Sequence, residues 1–326
     1  MRLLRLHHGL AAGHFPLRSI THFPRYFSSS RVNNELTPFT RRLFKYPSPP
    51  SPPSQQHNDL TTFLSYAEHE SLPVTSTVYI GTHYEYTVRQ TLRRYALDLD
   101  RIGGRDDAGI DLVGTWHVPE REWGCPLRVL VQCKSLKTKL GPNIVRELEG
   151  TFNQAPVGWR TPETIGILVS PREATKGVRF ALARSAYPLF WLMIERDGTL
   201  KQALWNARAV ELGLRPLTLR TRFIPSTGDA GELSQEVMLT WEGCGISSLD
   251  EVEHRLNEYA EEFVASWGLS LTEPQKMELL DVAERILPPD SSAWRFRGGI
   301  SDADRARVLQ ALQERLQQQP ASDSTP

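Results

Sequence analysis

The chain has 326 residues, 40% of them hydrophobic and 23% charged, with 38 basic and 38 acidic side chains. That length and apolar fraction support one or two globular domains with a sizeable core, and no apolar run approaches the roughly 20 residues of a membrane span. The three cysteines, Cys125, Cys133 and Cys244, are scattered and form no CxxC pair, which excludes a disulfide framework and a cysteine zinc site.

The zero net charge averages unlike parts. Before Glu35 lie five arginines (Arg2, Arg5, Arg18, Arg25, Arg31), no lysine and no acid, with Leu, His, Phe and Ser between them. An amphipathic, Arg-rich and acid-poor stretch without a long apolar h-region has the composition of a mitochondrial presequence; the plain alternative is a disordered basic tail. "RYFSSS" resembles a presequence cleavage site and sets the leader at residues 1–27. Cleavage after Phe27 removes four arginines and leaves 34 basic against 38 acidic side chains, so any nucleic-acid binding has to come from a local patch. Residues 28–58, with "YPSPPSPPSQQHN", read as a disordered Pro/Ser linker, and the fold is expected to begin at Asp59.

"GTHYEYTVRQTLRRYALDLD" predicts a helix from about Thr82 to Leu97, with Tyr84, Val88, Leu92 and Tyr95 in one apolar stripe. Glu85 falls beside that stripe, and a carboxylate aimed inward needs a partner or a task. "RIGGRDDAGIDLVGTWHV" is a Gly-rich turn, with Asp106 and Asp107 as turn residues, running into a strand. The next strand, "LRVLVQCKS", puts Leu127, Val129, Val131 and Cys133 on one face and Arg128, Leu130, Gln132 and Lys134 on the other. The two strands form an antiparallel pair.

A helix begun by Pro142, a buried strand "TIGILVS", an amphipathic helix "PREATKGVRFALARSA" and a buried strand "YPLFWLMIE" follow. This order predicts an α/β fold over residues 59–225, a mixed sheet flanked by helices. Trp191, Trp205 and Trp241 read as core. Residues 226–326 carry 19 acidic against 8 basic side chains and three helical patterns, which describes an acidic helical C-terminal extension better suited to a protein partner than to phosphates.

Four side chains converge on one chemistry: Glu85 from the helix, Asp111 from the first strand, and Gln132 and Lys134 from the second. Two carboxylates and an amide oxygen are hard ligands for Mg²⁺ or Mn²⁺. A neighbouring ammonium can position water and offset charge on a phosphoryl transition state. Between Arg89 and Arg146 eleven basic residues face seven acids, and Lys137 and Lys139, just past the second strand, suit phosphate contacts. The structural reading of the same residues has Asp111 paired with Arg105 or Lys134, with Lys134 reaching to solvent. No Walker loop, nucleophile elbow or dinucleotide fingerprint occurs.

"RDDAGIDLVG" followed by "VLVQCKS" resembles the D…QxK form of the PD-(D/E)xK nuclease superfamily, in particular its Mrr-like restriction endonuclease branch. Glu85 in "GTHYEYTVRQTL" matches that family's helix carboxylate, and "PNIVRELEG" resembles its next helix; the likeness covers about residues 81–194. Joined to the Arg-rich leader, the whole resembles the fungal mitochondrial family named for being required for respiratory growth. The resemblance implies a restriction-endonuclease-like fold and Mg²⁺-dependent hydrolysis of DNA within mitochondria. Asp111, Glu85 and Gln132 are then on the metal, Lys134 orients water or phosphate, and a homodimer is a common arrangement of such cores. Gln132, standing where a carboxylate is more usual, keeps an acceptor oxygen but loses a charge, which shifts the metal burden to Asp111 and Glu85. The alternative is a catalytically inactive descendant acting as a binding or scaffolding module.

Overall fold

A computed structural model describes residues 35–104, 109–121, 126–225, 233–287, 292–295 and 300–318. The leader 1–27, Arg105, Asp106, Asp107 and Cys125 lie outside them. Helix α1 (Pro38–Leu43) starts where the Thr37 side chain accepts from the Thr40 amide and Pro38 enters the first turn. Helix α2 (Leu60–His69) opens on an Asp59/Thr62 capping box, and α3 (Thr77–Arg93) on Ser76.

Strands β1 (Leu97–Arg101), β2 (Leu112–Trp116) and β3 (Leu127–Cys133) pair antiparallel in chain order. Helix α4 (Asn143–Gln154) then crosses to β4 (Thr164–Ser170), α5 (Lys176–Arg184) crosses to β5 (Leu189–Ile194), and β6 (Leu200–Trp205) turns back antiparallel. The pairs β3–β4 and β4–β5 are parallel, which is why each needs a helical crossover. The result is one mixed six-stranded sheet in the order β1-β2-β3-β4-β5-β6.

Period-two alternation sorts the sheet's two faces. Leu97, Leu99, Val129, Val131, Ile165 and Ile167 pack with Tyr84, Val88 and Leu92 of α3 on one face. Leu168, Leu189 and Trp191 pack with Ile144, Val145 and Leu148 of α4 and Val178 and Leu182 of α5 on the other. Beyond β6 come a helical turn α6 (Ala207–Ala209), a hairpin of β7 (Leu217–Pro225) and β8 (Leu233–Trp241), and a short β9 (Cys244–Gly245). Leu217, Leu239 and Trp241 join the α3 side of the core. Helices α7 (Leu249–Ser266), α8 (Glu273–Ile286) and α9 (Asp302–Gln318) form a second core around Tyr259, Phe263, Leu279, Leu280, Val308 and Leu312. Among the described residues no helix is long and apolar enough to cross a membrane.

Several boundaries differ from those expected. The helix placed at Thr82–Leu97 runs Thr77–Arg93, because Ser76 caps it earlier and Ala96, at φ 62°, breaks it. "LDLDR" is strand β1, with Leu97 and Leu99 turned inward. The described part of the expected linker 28–58 contains α1, whose Phe39 and Leu43, with Phe44, are 1% exposed or less within the helical core. Three apolar residues are too few to show a period, and the surface that buries them is made by helices at the other end of the chain. The Pro/Ser text itself is a mostly exposed strap, with Pro47 beside Gly158 and Pro53 beside Gly104. The boundary at 225/226 falls between β7 and β8, which pair over nine residues, so it divides a hairpin.

Candidate active site

The ladder between β2 and β3 ends with Leu112 opposite Val131. One residue further, the Asp111 amide donates to the Val131 carbonyl (2.9 Å), and the Asp111 carbonyl accepts from Ile102 (2.9 Å) and Gly103 (2.8 Å). Its carboxylate Oδ2 accepts from the Cys133 amide at 2.6 Å. Asp111 is therefore fixed against β3 between the positions of Gln132 and Lys134, which share a face of the strand. Two glycines make room. A Cβ on Gly103 would stand 3.3 Å from Asp111 Oδ1, and one on Gly109, at φ +81°, would stand 3.1 Å from Gln132 Nε2.

Gln132 is 2% exposed, and its Oε1 has no hydrogen-bond partner among the described residues. A buried amide oxygen left this way costs about 1–3 kcal/mol, so its retention asks for a reason. Lys134 is half-buried, and its Nζ stands 3.9 Å from Glu147 Oε2 of α4, too far for a hydrogen bond. Glu85 approaches from α3 and meets Arg101 of β1, with Nε 2.5 Å from Oε2 and both side chains almost buried. Arg101 lies also over the ring of Tyr86, 5.7 Å from its centroid.

These charges surround Cys133. Burial pushes its thiol well above the ordinary value, the carboxylates of Asp111 and Glu85 push it further, and Lys134 and Arg101 oppose them. Cys133 is thus a protonated packing residue against the α3-side core, as its place in the strand alternation predicts. Asp111, Gln132 and Lys134 are together at the end of β3. Glu85 reaches the same neighbourhood with its carboxylate on Arg101. Lys137 and Lys139 are exposed in the segment between β3 and α4.

Two participants were missed from the sequence. Arg101 follows Leu97 and Leu99 on the α3 face of β1, a position visible only once "LDLDR" is read as a strand. Glu147 lies in "VREL" of α4, facing Lys134. A hard cation suits this site on chemical grounds, because Asp111 offers a carboxylate and Gln132 an unsatisfied amide oxygen. Among the described residues no group of three His, Cys, Asp or Glu side chains is arranged to hold a metal ion. The site occupies the carboxyl end of β3, the end of parallel strands where open α/β sheets bind ligands. A larger cavity of about 550 Å³, lined by Phe152, Trp159, Tyr187 and Arg208, opens at the opposite end, where β4 and β5 begin.

Fold and site together define an α/β protein with a mixed six-stranded sheet, flanking helices, a helical C-terminal region and an Asp–Gln–Lys cluster at a strand end. The sequence model described as Required for respiratory growth protein 7 matches residues 76–125 and 124–223. An uncharacterized mitochondrial protein of Schizosaccharomyces pombe is 34% identical over 188 residues, spanning 56% of this chain and 73% of its own length. Required for respiratory growth protein 7 of Saccharomyces cerevisiae, named as mitochondrial, is 29% identical over 171 residues, 40% of this chain and 71% of its own. The Candida glabrata protein of that name is 27% identical over 192 residues, 44% and 74% of the two chains. No solved structure matches. The chain belongs to the Required for respiratory growth protein 7 family and is a mitochondrial protein.

Proposed function

We propose that this protein hydrolyses phosphodiester bonds of DNA inside mitochondria, using Mg²⁺ or Mn²⁺ on a restriction-endonuclease-like sheet. The observation that carries the reading is the placement at one strand end of Asp111, of Gln132, whose Oε1 has no partner among the described residues, and of Lys134. Asp111 and Gln132 would hold the cation, with Glu85 as the third oxygen once its carboxylate leaves Arg101. When bound, the cation supplies charge for the phosphoryl oxygens and lowers the pKa of water. Lys134 holds the attacking water or the scissile phosphate, and Lys137 and Lys139 hold the flanking backbone. Hydrolysis in the upkeep of the mitochondrial genome accords with the relatives' name, since respiratory growth depends on genes kept there.

A second reading, a binding or scaffolding module without catalysis, is favoured by one observation: the Glu85 carboxylate is committed to Arg101 at 2.5 Å. In that reading Arg101 has taken the cation's place, and the acidic helical region engages a protein partner. Cleavage of plasmid and linear DNA by the protein with Mg²⁺ or Mn²⁺ separates the two. Activity lost in both Asp111→Ala and Lys134→Ala supports hydrolysis. A folded protein that binds DNA and leaves it intact supports the module.

A further inference from the structure

A second, smaller cavity of about 190 Å³ lies against the same strand end, walled by Val74, Tyr79, Ile80, His83, Ser135 and Arg196. Ser135 is the residue after Lys134, so the cavity begins where the proposed catalytic strand stops. We infer that it receives one unpaired nucleobase of a single-stranded nucleic acid, with Arg196 against the adjoining phosphate. The inference rests on the proposal that nucleic acid is the substrate and adds its strand form.

The cavity's size and lining carry this. Its volume is below the usual 300–1,000 Å³ of a drug-sized pocket and so suits a single flat group. Tyr79 and His83 already stack at 5.8 Å between centroids and 25° between planes, and the His83 face is the kind of surface on which bases stack in single-strand readers. Val74 and Ile80 supply apolar wall.

Two polar groups are left for recognition. Ser135 Oγ is buried with no hydrogen-bond partner among the described residues, and a turn of its χ1 would present it to a base edge. Arg196 is exposed, donates to the Ser135 carbonyl at 3.4 Å and has no ion-pair partner among the described residues, so most of its donors remain for a phosphate. The Tyr84 hydroxyl, by contrast, is spent on the Ile194 carbonyl at 2.7 Å. A base held in a helical stack cannot enter so small a space, which selects unpaired or extruded nucleotides.

The test is binding by the full chain without divalent metal, read as fluorescence anisotropy with a labelled oligothymidylate and with a blunt DNA duplex. His83→Ala and Arg196→Ala are each expected to weaken single-strand binding about tenfold, with duplex affinity kept, while His83→Phe retains single-strand affinity by restoring a stacking face. Equal losses on both ligands, unchanged single-strand affinity in His83→Ala, or no single-strand binding by the wild type overturns the inference. Pocket-dependent binding with no cleavage removes only the hydrolytic reading. Cleavage that needs Asp111 and Lys134, with single-strand binding indifferent to His83 and Arg196, removes only this one.

Discussion

Where β2 ends, His117 is 3% exposed and stacks on Tyr46, whose hydroxyl meets its Nε2; where β2 begins, Gln132 is 2% exposed beside Asp111. His117 Nδ1 at one end and Gln132 Oε1 at the other are among the buried atoms without a partner among the described residues. Their surroundings differ. Around His117, burial first and then the nearby Arg128, Arg255 and Arg41 push the imidazole down to about 3, so it is neutral at any physiological pH. Arg41 pairs with Asp98 at 3.2 Å, and Arg128 donates to the Lys45 carbonyl at 2.6 Å, so the cations there are tied into the N-terminal segment. Beside Gln132 stand the Asp111 carboxylate and, two residues on, the half-buried Lys134 ammonium, 3.9 Å from Glu147. One end is covered by the N-terminal segment, and the other sets an acid, an amide and an ammonium side by side where a strand stops.

The sharpest way to break this contrast is Asp111→Asn, which keeps an acceptor for the Cys133 amide and removes the charge. DNA cleavage with Mg²⁺ should fall by about 10²–10³-fold, with the melting temperature close to wild type; equal loss of activity in His117→Gln would show that the ends are not distinct. Next, Phe39→Ala should cost about 3–5 kcal/mol in urea unfolding, because a 1% exposed ring is removed from the closed end's helical support. A cost near zero would return residues 35–46 to the status of a linker.

A smaller effect comes from pH. An unfolded histidine binds a proton near 6.5 that folded His117 refuses until about 3. Its contribution is complete above pH 6.5 and is lost as pH falls toward 3, on the order of 2 kcal/mol between 6.5 and 5. Glu253, pushed up to about 7 by burial, gives a slope of the opposite sign between about 4.5 and 7, so the quantity to measure is wild type minus His117→Gln. That difference should decline on acidification; a flat one would mean the imidazole is not held neutral. Smallest of all, Lys137→Ala and Lys139→Ala should each reduce the salt dependence of DNA binding by about 0.9 in log–log slope and leave stability unchanged.

Much of the site was readable because it depends on strand alternation, which is local. Gln132 and Lys134 on one face and Cys133 on the other follow from a period of two, and Asp111 needs only the next strand beside them. What escaped notice depends on distant partners or on a misplaced boundary. Arg101 stayed hidden because β1 was not read as a strand, Leu97 being given to the end of a helix and Arg101 to the Gly-rich turn, and with it the meaning of Glu85. The hairpin β7–β8 was lost because Arg220 and Arg222 alternate with exposed Leu219 and Phe223, leaving little contrast between faces. The acidity of the C-terminal region was plain, but its pairs were not: Lys276 with Glu261 and Glu273 and Arg315 with Glu278 inside it, and Arg42 of α1 with Glu284.

Helix α1 is joined to the far end of the chain: Thr40 Oγ1 donates to Asn257 Oδ1 at 2.8 Å, and Arg295 to the Leu43 carbonyl at 2.7 Å. On a ribosome, α1 is made more than two hundred residues before the helices that bury it. Contacts of such long sequence separation close late and slow the search for the native state. Phe39, Leu43 and Phe44 therefore have no surface to bury them until α7 and α8 exist, and a chain cut short before those helices leaves all three in water.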